Sequence, residues 1–301
     1  MGKGKGISLL VPFREDSSGS RTAPFEWLRA YYRKHLPDAE TVIGECAGEP
    51  YSKSVALNAA AKLAHGDIYV LLDADTWSSP VAIERCADEI RGTKMPLWFM
   101  PHHVAYRLKR KLSDAILKKD PATYKFNVFP AADQLEARCP GAHGFCQIIS
   151  AAGWRKVGGY DERYRGWGAE DGSFIRAADT LYGQHTRTRD VVISLWHDRP
   201  GMGSKMRRHW DDGVHFKKNS VSQKLASMYL AADGDARAMR KLVDAGLNFD
   251  EREWLSPSTP DSSNILRWCG ATHSTSDRTY VCALSRGHTG RHSDSEGTAQ
   301  W

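Results

Sequence analysis

Ile68-Tyr69-Val70-Leu71-Leu72-Asp73-Ala74-Asp75 is the stretch from which the rest of this chain can be read. A continuous apolar run of this length, with no polar residue in alternation, suits a strand buried on both faces of a sheet. Two carboxylates follow at its end. In open α/β sheets ligands collect at the carboxyl ends of strands. An aspartate in that place can serve as a turn or helix cap. Two of them, one residue apart, also make an oxygen donor set of the kind Mg²⁺ and Mn²⁺ favour.

Upstream, residues 7–13 read as a strand and 25–35 as a helix with Phe25, Leu28 and Tyr32 near one face. Residues 40–46 read as a second strand, and 52–64 as a helix with Val55, Ala59 and Leu63 at helical spacing. Downstream, 81–90 is helical and 97–100 a strand. Strands and helices in alternation argue for a parallel sheet covered by helices. Residues 104–115 carry Val104, Leu108, Leu112 and Ala115 at helical spacing, with Arg107, Lys109, Arg110 and Lys111 as the solvated face of that helix. Residues 114–142 are polar and proline-punctuated, an excursion over the strand ends. A strand at 144–150, a short helix at 151–157, a turn at Gly158-Gly159-Tyr160-Asp161-Glu162 and a helix at 169–182 follow. The apolar run Val191 to Trp196 ends on His197, and helices at 221–232 and 236–245 come later.

The chain has 301 residues, 41% hydrophobic and 26% charged, which suits a globular protein with a substantial core. No apolar run approaches the roughly 20 residues that span a bilayer, and no signal-peptide pattern opens the sequence. The expectation is a cytoplasmic protein of a bacterium or a phage-infected cell, with no membrane partner. A net charge of +6 suits an anionic substrate such as a nucleoside diphosphate. Nucleic acid is disfavoured as a partner because no long Lys/Arg tract appears. Of the six cysteines, Cys46, Cys86, Cys139 and Cys146 read as small buried thiols.

The second acidic signal is Gly166-Trp167-Gly168-Ala169-Glu170-Asp171. Its acids open a helix, where the dipole favours negative charge. A carboxylate there can also take the proton of a hydroxyl nucleophile.

Pro12-Phe13-Arg14, Asp73-Ala74-Asp75, Gly166-Trp167-Gly168-Ala169-Glu170-Asp171 and then His197 resemble, in that order, the motifs of the β-1,4-galactosyltransferases. Gly158-Gly159-Tyr160-Asp161-Glu162 is similar to the segment that leads into their acceptor loop. Polypeptide N-acetylgalactosaminyltransferases and bacterial chondroitin polymerases share the fold, called GT-A. The resemblance spans residues 7–200 and implies an α/β fold with a Rossmann-like mixed sheet flanked by helices. It implies a metal-dependent transferase that moves a hexosyl or N-acetylhexosaminyl group from a nucleotide sugar, a UDP-sugar, to a hydroxyl, with inversion.

Roles follow from the same resemblance. Pro12, Phe13 and Arg14 would hold the nucleotide, Arg14 on uracil or phosphate. Lys53 would be a donor-side cation, Asp73 would contact the ribose or a water of the metal shell, and Trp167 would close over the donor sugar between its flexible glycines. Asp75 and His197 would hold Mn²⁺ or Mg²⁺. Asp171 would be the base and Glu170 would bind the acceptor, a glycan or a protein, including a virion protein if the source is a phage. Arg199, Lys205, Arg207 and Arg208 are candidates for the diphosphate. Three positions depart from the pattern: Ser194 stands where that family has a methionine, Ala169 replaces a glycine, and Gly172 stands where another aspartate is common.

Cys269, Cys282, His288 and His292 form a Cys-x12-Cys-x5-His-x3-His series, a ligand set for structural Zn²⁺. The division expected is 1–203 for the catalytic domain, 204–255 for a helical extension, and 256–301 for a Ser/Pro-rich linker and Cys/His tail. Two other readings compete. A phosphatase of the haloacid dehalogenase type also uses Asp-x-Asp after a strand, but Trp77 stands where it needs Thr or Val. A nucleic-acid-binding protein built on the Cys/His tail would leave both acidic motifs without a role.

Overall fold

The computed structural model describes residues 4–15, 18–47, 51–166, 168–198, 221–248, 272–274 and 279–281. Trp167, the cations Arg199, Lys205, Arg207 and Arg208, and the four zinc candidates Cys269, Cys282, His288 and His292 lie outside these residues.

The main sheet has six strands in the order β2-β1-β3-β8-β5-β9. These are β1 (Ile7–Pro12), β2 (Glu40–Gly44), β3 (Ile68–Leu72), β5 (Trp98–Met100), β8 (Cys146–Ser150) and β9 (His185–Arg187). Strands β2, β1 and β3 are parallel. Strand β8 then enters antiparallel to both β3 and β5, so the sheet is mixed where alternation alone suggests a parallel one. No helix among the described residues is long and apolar enough to cross a membrane.

Both faces of the sheet are buried at its centre, which is why β1 and β3 are almost wholly apolar. Leu9 and Val11 of β1 and Val70 of β3 face α1 (Thr22–His35) and α3 (Pro80–Gly92), through Phe25, Leu28, Ile83 and Ala87. Leu10, Tyr69 and Leu71 face the opposite layer, built from α2 (Lys53–Leu63), α5 (Ala151–Val157) and α6 (Glu170–Leu181). Helices α7 (Val221–Ala231) and α8 (Ala236–Leu247) join this second layer: Tyr229, Met239 and Leu242 share a cluster with Trp154, Tyr160 and Phe174. The buried Asp161–Arg163 pair ties them down further. Tyr229 donates to Asp161 at 2.9 Å and Arg163 donates to the Leu242 carbonyl at 2.9 Å.

A second sheet has the order β4-β10-β6-β7, from β4 (Thr76–Ser78), β6 (Val104–Leu108), β7 (Leu135–Pro140) and β10 (Val191–Ser194). Residues 104–115 are therefore not one helix. They form β6 followed by α4 (Arg110–Leu117), so Arg107 is a strand residue and not part of a helix face. A spacing of four between apolar residues fits both helix and strand periods, and here pairing with β10 and β7 on either side decides for the strand. Cys46, Cys86 and Cys146 are buried free thiols and Cys139 is half-buried, in keeping with their expected role.

Candidate active site

Two groups of polar side chains meet at the ends of β1 and β3. The first is built on three helix or strand termini. Ser52 caps α2, its Oγ accepting from Val55 N–H at 3.2 Å and donating to the Tyr164 carbonyl at 2.7 Å. Gly166 N–H donates to the Tyr51 carbonyl at 2.9 Å, so the start of α2 is stitched to Gly166. This fixes Lys53 in the first turn of α2, where the helix dipole opposes a cation. Carboxylates compensate. The ammonium lies 2.6 Å from Asp73 Oδ1 and 2.8 Å from Asp171 Oδ1. Burial alone would lower the Lys53 pKa, but Asp171 and Asp73 hold it well above the ordinary lysine value. Lys53 is not a solvated lysine at a helix start: its side chain is 17% exposed.

Asp73 follows β3 and exchanges backbone and side-chain bonds with Phe145. Its N–H donates to the Phe145 carbonyl at 3.0 Å, and its Oδ2 accepts from Phe145 N–H at 3.2 Å. Phe145 has φ 76°, a left-handed conformation unusual for a bulky residue. Burial raises the Asp73 pKa against the pull of Lys53, with Asp171 and Asp75 adding to the rise. Asp171 accepts at Oδ1 from the Tyr160 phenol, 2.9 Å away. Its neighbour Glu170 is buried and turns back on the loop, accepting from Gly168 N–H at 2.9 Å. Burial, then the charge of Asp171, raises the Glu170 pKa to about 7. Ala169, at the glycine position of the resembling family, has φ 70°, the left-handed backbone a glycine would take without penalty.

The second group lies on the other sheet. Strand β4 begins directly after Asp75 and pairs antiparallel with β10, with Thr76 opposite Ser194. Leu195 N–H continues the ladder to the Asp75 carbonyl at 2.8 Å. Ser194 Oγ donates to Asp75 Oδ2 at 2.5 Å, so the serine that replaces a methionine holds the carboxylate itself. His197 Nε2 stands 3.6 Å from Asp75 Oδ2, and both side chains are largely buried. Trp196 is held from α4, its N–H donating to Ser113 Oγ at 2.8 Å and its ring lying under Arg110.

The structure thus brings Asp75 together with His197, and Lys53 with Asp73 and Asp171. Phe13 stacks on Phe25 at 4.1 Å and belongs to the core edge. The Arg14 guanidinium lies over the Tyr51 ring at 5.0 Å. Tyr160, Phe145 and Gln147 were not singled out as site residues from sequence. Only the turn that carries Tyr160 was.

A divalent cation fits the Asp75–His197 pair. His197 Nδ1 lies 2.7 Å from the Asp198 carbonyl. The tautomer that donates there leaves the Nε2 lone pair facing a carboxylate oxygen, and two acceptors so placed are brought to terms by a cation between them. Oxygen and imidazole donors suit Mn²⁺ and Mg²⁺. Among the described residues no group of three or more His, Cys, Asp or Glu side chains gathers for a metal.

No family model matches the chain, and no curated protein matches it. Among solved structures it is similar to the catalytic domain of Drosophila β1,4-galactosyltransferase 7 in complex with xylobiose, at 15% identity over 73% of this chain and 78% of that one, TM-score 0.38. A mutant of the same enzyme in complex with manganese, UDP-Gal and xylobiose gives 15% identity, the same coverage and TM-score 0.37. The mannosyltransferase PcManGT from Pyrobaculum calidifontis, in complex with GDP-Man and Mn²⁺, gives 16% identity over 84% of this chain and 76% of that one, TM-score 0.41.

Proposed function

We propose that this chain is a metal-dependent glycosyltransferase of the GT-A type that moves a sugar from a nucleoside-diphosphate donor, a UDP-sugar, to a hydroxyl acceptor. The observation that carries the reading is the convergence of Asp75 and His197, from distant parts of the chain, 3.6 Å apart on the same rim as the Lys53–Asp73–Asp171 group. A lone ion pair would explain the first. It would not explain a second acid pair and a buried cation beside it.

Asp75 and His197 would hold the cation, with Ser194 orienting the carboxylate. When bound, a divalent ion offsets the charge that develops on a leaving diphosphate. Lys53 is the nearest described cation to the two acids and adds a positive charge on the donor side. Asp171 takes the proton of the acceptor hydroxyl as its oxygen attacks the anomeric carbon. The bond from that carbon to the diphosphate oxygen breaks, and the diphosphate leaves with the electron pair. One displacement of this kind inverts the anomeric centre. The reading keeps residues 1–203 as the catalytic unit, with α7 and α8 sharing its core.

A thermal-shift screen of nucleotide sugars with and without Mn²⁺ identifies the donor. With that donor, Asp171→Ala should cut transfer by about 100-fold or more while nucleotide binding persists. Unchanged transfer in that variant would remove Asp171 from the chemistry.

A further inference from the structure

We infer that Tyr160 is the positioning residue for Asp171: its phenol and Lys53 engage Oδ1, which leaves Oδ2 to take the proton of the acceptor hydroxyl. This rests on the transferase reading and gives Asp171 a defined working oxygen.

Tyr160 is held from every side. The turn Gly158-Gly159 delivers it with φ 104° and 75°. A Cβ on Gly159 would lie 2.6 Å from Asn58 Oδ1, so the turn must be bare there. Asn58 clasps the Tyr160 backbone, accepting from its N–H at 2.9 Å and donating to its carbonyl at 2.8 Å. The ring stacks on Phe174 at 4.5 Å and on Trp154 at 6.0 Å. Its hydroxyl has two acceptors in reach, Asp171 Oδ1 at 2.9 Å and Gln147 Oε1 at 3.0 Å. Gln147 presents that oxygen because its amide nitrogen donates to the His143 carbonyl. The phenol has one proton to give, and a carboxylate is the stronger acceptor. Burial and the nearby Asp171 charge push the phenol pKa well above its ordinary value, so it stays a donor.

Oδ1 therefore carries two donors, Lys53 at 2.8 Å and Tyr160 at 2.9 Å. Oδ2 has a longer contact, Lys53 at 3.1 Å. A Cβ built on Gly144 would stand 2.6 Å from Asp171 Oδ2 and 3.8 Å from Asp73 Oδ2. A side chain at 144 would crowd the carboxylate, so the backbone passes Oδ2 bare. The other charged or titratable groups around Asp171 are Lys53 from α2, Asp73 after β3, His143 before β8 and Glu170 on its own helix. All of them remain in a Tyr160→Phe variant, which also keeps the ring stack.

The test compares transfer kinetics of the full chain with those of Tyr160→Phe, which loses the phenol and keeps the ring. Tyr160→Phe should lower kcat by about tenfold, with donor KM within about twofold. Gly144→Ala should lower kcat by about 100-fold and leave UDP affinity in Mn²⁺ unchanged. Wild-type kcat in Tyr160→Phe, or in Gly144→Ala, overturns the inference while transfer by the wild-type protein stands. A wild-type protein that transfers no sugar overturns the transferase reading itself, whatever Tyr160 does.

Discussion

Glu170 shows how much a single side chain can reveal here. Its carboxyl is buried at the start of α6, beside Asp171, and its pKa is raised to about 7. A carboxyl raised in the folded state binds more protons there than in the unfolded chain. Stability from this group is therefore greatest below the unfolded pKa and falls as pH rises from about 4.5 to about 7. Glu170→Gln keeps an oxygen for Gly168 N–H and removes the titration. Its stability relative to wild type should climb through that window, by about 2–3 kcal/mol, and level off above it; urea unfolding at pH 5 and pH 8 measures the difference. Equal changes at both pH values would place the charge in solvent. At this scale Asp73, Asp75 and His197 stood out, because an acid after an apolar run or a His ending one is visible in one dimension, and Asp171 stood out through the motif that starts at Gly166. Tyr160 and Phe145 were not. Nothing local marks a phenol that bonds an acid eleven residues on, or a phenylalanine held at positive φ.

At the scale of elements, β4 is the strand that makes the site. It has three residues and no pattern of its own, so it was invisible in sequence, yet its pairing with β10 is what sets Asp75 beside Ser194 and His197. Its outer edge is covered by a side chain. The Tyr32 phenol accepts from Ser78 N–H at 2.7 Å and donates to the Ser78 carbonyl at 3.1 Å. Tyr32→Phe would leave a buried N–H without that acceptor, at a cost of about 1–3 kcal/mol, and should weaken Mn²⁺ binding by loosening β4. Unfolding and metal titration together check this; loss of neither would make the contact incidental. The cap of α2 is a parallel case. Ser52→Ala removes one bond to Val55 and one to Tyr164 and should cost about 1–2 kcal/mol. Because Lys53 is the next residue, transfer should fall as well. The opposite error was at 104–115, where an i, i+4 pattern imitated a helix that the flanking strands β10 and β7 overrule.

For the whole molecule, the alternation of apolar strands and helices along the first hundred residues gave away the layered α/β core, since strands covered on both faces must be apolar throughout. Strand order lay beyond that signal. The entry of β8 antiparallel between β3 and β5 brings Gly144 and Phe145 to the rim where β1 and β3 end, and the second sheet brings His197 there from the other side. Those are long-range pairings, decided by the packing of sheets against each other. The central claim is that this rim grips a cation against a nucleoside diphosphate. Isothermal calorimetry of UDP with and without Mn²⁺, on the wild-type chain, Asp75→Ala and His197→Ala, tests it most directly. UDP should bind the wild type at least about tenfold more tightly when Mn²⁺ is present, a gain of about 1.4 kcal/mol or more, and both variants should lose that gain. Equal UDP affinity with and without Mn²⁺, or a gain that survives both substitutions, would contradict the account.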